Sequence, residues 1–133
     1  MINLLRKYFA KRLLAIGWSV VIFVLLALPG SALPKEQGFS IPNFDKLVHI
    51  GLFGGFVLLW SLYYSTTGRS QKKLLRIFFI IFLIAVVYGI GMEFVQKYFI
   101  PGRDYDEADM VADMIGAGIA YGLCNIHLTD AKD

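Results

Sequence analysis

Apolar residues along this chain gather into four runs parted by short polar stretches, and each run is long enough to predict a helix. The runs include LLAIGWSVVIFVLLALPG, LVHIGLFGGFVLLWSLYY and RIFFIIFLIAVVYGIGMEF, and the predicted helices cover about 13–30, 47–64, 74–96 and 108–128. A helix rises ~1.5 Å per residue, so about 20 residues cross the hydrocarbon of a bilayer. The fourth run is weaker because acids interrupt it. Ile115, Ile119, Tyr121, Leu123 and Ile126 still favour a helix in a bundle over a free loop. The expectation is an all-α, polytopic membrane protein: a four-transmembrane-helix bundle forming a single domain over 1–133.

Composition agrees with that pattern, at 57% hydrophobic residues and a mean hydropathy of +0.62. A net charge of +3 does not point to nucleic acid, because the basic residues flank the apolar runs instead of sharing a polar face. The lone cysteine, Cys124, excludes an internal disulfide and any CxxC pattern, which leaves it a packing role. Basic residues, an apolar run and the small residues Gly30 and Ala32 also fit a cleavable secretory signal. An uncleaved anchor fits better, since the run exceeds the usual core of roughly 7 to 15 residues and contains Trp18.

Charge bias sets the expected orientation. Arg6, Lys7, Lys11, Arg12, Arg69, Lys72, Lys73, Arg76 and Lys132 lie at the two ends and in the middle loop, whereas the other two loops hold Lys35, Lys46, Lys97 and Arg103. Both termini are therefore expected to be cytoplasmic, with 31–46 and 97–108 outside the membrane on its periplasmic or extracellular side. The acids run the other way: Glu36, Asp45, Glu93, Asp104, Asp106, Glu107, Asp109 and Asp113 all belong to the outer half.

Helical spacing brings these groups to one depth. Asp45 and His49 share a face at the start of the second helix, and Glu93 and Gln96 lie near the outer end of the third. Asp106, Asp109 and Asp113 form one stripe descending into the fourth. An ionised group in hydrocarbon costs roughly 2.5 to 3.5 kcal/mol even on lenient insertion scales, so Glu93 and Asp113 are expected to face inward and find partners. Arg103 is the expected bridge between those two carboxylates, with Lys46 and His49 as further donors. The binding candidates are thus Asp45, Lys46, His49, Glu93, Gln96, Arg103, Asp109 and Asp113. Gly51, Gly54, Gly55, Gly89, Gly91, Gly116, Gly118 and Gly122 are expected to let the helices approach closely.

The combination DKLVH, EFVQ and PGRDYDEADMVADMIGAGIAYG resembles the VanZ-like membrane protein family over about Asp45 to Gly122. Many members carry Asn where this chain has Asp113, so a mechanism that needs a neutral amide there does not transfer directly. The family's namesake is associated with low-level resistance to teicoplanin, a glycopeptide antibiotic acting on the cell envelope. The resemblance implies an envelope-facing role and does not supply a reaction.

Three classes of function remain open. In the first, the outer cavity binds a membrane lipid or lipid-linked envelope intermediate, with Arg103, Lys46 and His49 taking an anionic group. The second is an intramembrane hydrolase or transferase, with His49 or Glu93 as base, Asp109 or Asp113 as orienting partner and Arg103 stabilising negative charge. No serine or cysteine has the motif of a nucleophile, and one histidine among scattered acids (His49, Glu93, Asp109) is a weak metal set, so neither metal nor cofactor is expected. In the third, the charges merely lock the helices together, alone or in a homo-oligomer. Taken singly, the features have structural explanations: Asp45 and Asp106 suit helix N-termini, and Gln96 suits a helix end with spare backbone groups.

Overall fold

The computed structural model describes residues 2–29 and 44–129. Four α-helices follow one another: α1 (Ile2–Leu26), α2 (Phe44–Ser65), α3 (Gln71–Phe99) and α4 (Glu107–His127). Among the described residues there is no strand. Helix α1 begins at Ile2 and not near Leu13, because arginine and lysine are good helix formers and the basic segment continues the helix. The cleavage-site residues and the segment 30–43 lie outside the described residues.

Local signals fix the joints. Ser70 caps α3 by accepting a hydrogen bond from the Lys73 N–H, and Gly68, at φ 74°, makes the preceding turn that an L side chain resists. After α3, Pro101 and Gly102 (φ 72°) turn the chain towards Asp106, which caps α4.

Helix α2 is the central element, packing against α1, α3 and most extensively α4. Its inward stripe is His49, Leu52, Phe53, Phe56, Val57 and Ser61, a helical period of buried positions. Gly54 lies so close to α4 that a Cβ there would meet the Gly116 carbonyl oxygen at 3.2 Å, and a Cβ on Gly116 would press on the Ile50 backbone. A Cβ on Gly55 would reach the Trp18 ring at 2.7 Å. Gly51, Gly91 and Gly122 instead face open space, so only part of the glycine set serves helix approach.

Polar aromatic groups tie α1 to its neighbours. Trp18 Nε1–H donates to the Leu52 carbonyl at 2.8 Å, Trp60 Nε1–H to Ser19 Oγ at 3.0 Å and the Tyr88 hydroxyl to the Ser19 carbonyl at 2.8 Å. Outward faces are strongly apolar on every helix: Leu14, Val20 and Phe23 on α1, Leu58 on α2, Ile84 and Val87 on α3, and Val111, Ile119 and Ile126 on α4 are exposed. Helices α2 and α3 are long and apolar enough to cross a membrane. A groove of about 450 Å³ between α1, α2 and α3 is lined by Phe56, Trp60, Ile77 and Ile81, towards the end of the bundle opposite the polar residues described next.

Candidate functional site

The periodicity that buries the apolar core also buries the polar residues at one end of the bundle. On α2 the inward stripe begins at His49; on α3 it finishes Gly89, Met92, Glu93, Gln96; on α4 it opens Asp109, Ala112, Asp113, Gly116. The start of α2, the end of α3 and the start of α4 therefore deliver titratable groups to one place. Glu93 is 0% exposed, Asp113 2%, His49 4% and Asp109 8%.

Two linked arrangements fill this end. In the outer one, Lys46 Nζ donates to three carboxylates: Asp45 at 2.8 Å, Asp106 at 2.6 Å and Asp109 at 2.5 Å. Asp106 also accepts from the Ala108 N–H at 2.9 Å, and its own N–H donates to Glu93 Oε2 at 3.1 Å. The hydrogen bond from Lys46 holds the Asp106 carboxyl below the usual carboxylate range. In the inner arrangement, His49 Nδ1–H donates to Asp113 Oδ1 at 2.7 Å, since a carboxylate can only accept. That bond leaves His49 Nε2 facing Asp109 Oδ2 at 3.6 Å. Gly89 makes room for the Asp113 carboxylate: a Cβ there would stand 2.7 Å from Oδ2.

Several partners differ from those expected. Arg103 does not bridge Glu93 and Asp113; its guanidinium donates to the Leu28 carbonyl at 3.4 Å, because the Pro101–Gly102 turn directs it towards the end of α1. The bridging cation among carboxylates is Lys46. Asp45 bonds Lys46, and the imidazole of His49 pairs with Asp113 on the facing helix instead. Gln96 donates to the Leu26 carbonyl at 2.9 Å, which satisfies an orphan group at the end of α1 and takes its amide away from the acids.

Sequence reasoning placed Asp106 in the acidic stripe but left it out of the binding candidates, because its capping role was sufficient explanation. The structure gives it both roles. The spacing Asp106, Asp109, Asp113 carried the signal, since a cap that continues an inward stripe points at whatever that stripe faces.

The site can chiefly accept. Among the described residues five carboxylates surround one lysine and one histidine, and the buried atoms Glu93 Oε1 and Asp113 Oδ2 have no hydrogen-bond partner. It can receive a proton, a cation or the donor groups of a polar ligand, and the Asp113–His49 pair has the geometry of a base with its orienting carboxylate. Helix α4, with the acids Glu107 and Asp109 in its first turn, places the positive end of its dipole beside them. No protein-family model matches the chain, and none of the curated proteins or solved structures matches it.

Proposed function

We propose that this chain is a VanZ-like, multi-pass protein of the bacterial cytoplasmic membrane, whose polar cluster holds the head of an envelope lipid or lipid-linked envelope intermediate. In this reading all four helices cross the bilayer, both termini are cytoplasmic, and the cluster sits beneath the outer leaflet. The observation that carries it is the inverted distribution of side chains. Large apolar groups cover the outside of all four helices, while His49, Glu93, Asp109 and Asp113 are buried together at one end. A lipid-facing bundle has that distribution, and intramembrane ionisable groups collected in one place mark a functional site.

The geometry sharpens which groups would take the head. Lys46 is already shared among three carboxylates, whereas the bond from Arg103 to Leu28 uses one of five guanidinium N–H donors. Arg103 is therefore the residue for an anionic group at the rim, and Glu93 Oε1 and Asp113 Oδ2 are acceptors for hydroxyl or amine donors beneath it. Lipidomic analysis of material co-purifying with the wild type and with Arg103→Ala tests this. A phosphate-bearing or glycan-bearing lipid enriched with the wild type and depleted from the variant is expected; equal retention overturns the assignment.

The 2.7 Å bond from His49 to Asp113 favours a second reading, in which the dyad acts as general base on a lipid-linked substrate. His49→Ala would then retain the lipid and accumulate it unprocessed. Identical lipid profiles in the variant and the wild type would eliminate catalysis by the dyad.

A further inference from the structure

Among the described residues, two groups of side chains are spaced to hold a cation. Asp45, Asp106 and Asp109 form the first. Its centre is taken by the Lys46 ammonium, at 2.8, 2.6 and 2.5 Å from the three carboxylates. His49, Glu93 and Asp109 form the second, with one ligand atom from each lying within 4.8 Å of the others. We propose that His49, Glu93 and Asp109 bind a divalent first-row transition-metal ion, Zn²⁺ or Mn²⁺ in kind, and that Asp113 positions the imidazole for it.

Four observations lead to this assignment. The carboxyl oxygen Glu93 Oε1 is buried without a partner among the described residues, on a residue that is 0% exposed, while Oε2 is engaged by the Asp106 N–H. A buried carboxylate oxygen without a donor is costly, and a metal ion satisfies it. The separation of His49 Nε2 from Asp109 Oδ2, 3.6 Å, is close to the roughly 3.4 Å between two ligands about 2.1 Å from a tetrahedral centre.

The remaining two observations concern orientation and charge. The bond from His49 Nδ1–H to Asp113 leaves the Nε2 lone pair free, 3.6 Å from Asp109 Oδ2, the carboxylate–histidine–metal arrangement that orients a ligating imidazole. Asp109 is tied on its other oxygen to Lys46, so its own position is supported as well. Finally, the acids exceed Lys46 and His49 in charge, and a dication supplies the positive charge that a buried cluster of this sign requires. Mixed imidazole and carboxylate donors suit zinc or manganese, and three protein ligands leave a position open for water or a ligand oxygen.

This inference goes beyond the lipid reading and needs no lipid. It also excludes His49 as a free base while metal is bound, because the metal takes the Nε2 lone pair. The test is elemental analysis of the full chain purified in detergent without added metal. Chelator-stripped protein is then titrated with Zn²⁺, Mn²⁺ and, as control, Mg²⁺, following the melting temperature.

About one zinc or manganese ion per wild-type chain is expected, with a saturable rise in Tm on reloading the stripped protein. Glu93→Gln should reduce metal content to background, Asp113→Asn should weaken binding about 10- to 100-fold, and Asp104→Asn, at an exposed position outside the cluster, should leave content unchanged. Should Glu93→Gln fail to fold, electron spin-echo spectroscopy of Mn²⁺-loaded wild type reports the coordinated imidazole nitrogen without any variant. Stripped wild type that shows no saturable Tm shift with any of the metals, bound Mn²⁺ without the imidazole signature, or Glu93→Gln with undiminished metal would each overturn the proposal. Lipid co-purification is scored on the same samples: metal retained without lipid sinks only the lipid reading, and lipid retained without metal sinks only this one.

Discussion

Replacing Gly116 by alanine tests the close approach of α4 to α2 and, through it, the polar site. A Cβ at this position would lie 2.8 Å from both the carbonyl carbon and the Cα of Ile50, and nearer still to the Ile50 carbonyl oxygen. These are backbone atoms of a neighbouring helix, so no side chain can rotate away. Carbon atoms rest at about 3.5 Å, and reaching that distance requires α2 and α4 to separate by at least about 0.7 Å. His49 adjoins Ile50, and Asp113 lies one turn before Gly116. The same movement stretches their 2.7 Å hydrogen bond to about 3.4 Å, beyond the useful limit near 3.2 Å.

Overpacking costs about 1–3 kcal/mol and loss of a buried hydrogen bond to a charged group about 1.5–3, while alanine regains about 1 kcal/mol of helix propensity. The net expectation is a loss of roughly 1.5–5 kcal/mol, or a fall in Tm of about 6–20 °C for a chain of this size. Thermal melts in detergent measure it, with Gly122→Ala as the internal control, since a Cβ there meets nothing within 4 Å. The control should be neutral or slightly stabilised. Gly116→Ala melting within about 2 °C of the wild type would show that the helices do not approach as closely as described.

Lys46→Met leaves Asp45, Asp106 and Asp109 facing one another without their shared cation. Partial exposure moderates the loss to roughly 1–3 kcal/mol by the same melts, and an unchanged Tm would count against the ammonium as the centre of that group. Gln96→Leu keeps the volume and strands the buried Leu26 carbonyl, for a loss of about 1–3 kcal/mol; a stabilised variant would refute the capping role. Single cysteines at Glu36 and Gln71, in a Cys124→Ser background that removes the buried native thiol, should react with an impermeant reagent from opposite sides of the membrane. Labelling from one side would dismiss the proposed topology.

The helices were readable because long apolar runs are interrupted where the chain turns. The start of α1 was not, since Arg6, Lys7, Lys11 and Arg12 break the apolar pattern without breaking a helix. The depth shared by His49, Glu93 and Asp113 was visible in the helical period, because one stripe on each helix passes from apolar to polar residues without changing face. Partner choice was beyond the sequence. Whether Arg103 or Lys46 reaches the acids depends on how the turn at Gly102 aims the chain, and on the crossing of α2 and α4, which hangs on one missing methyl group at Gly116. Periodicity fixes a face and a depth; it does not say which of two long cations arrives first.

The distances in sequence across the Lys46 and His49 bonds carry a consequence for biosynthesis. Asp106, Asp109 and Asp113 bond to residues 60, 63 and 64 positions earlier. A nascent chain therefore carries Lys46, with Asp45 beside it, and His49 through the rest of α2 and all of α3 before these three carboxylates leave the ribosome. Closure of the bundle falls to the final stage of translation, and a chain truncated ahead of Asp113 would leave the imidazole of His49 without the carboxylate that orients it.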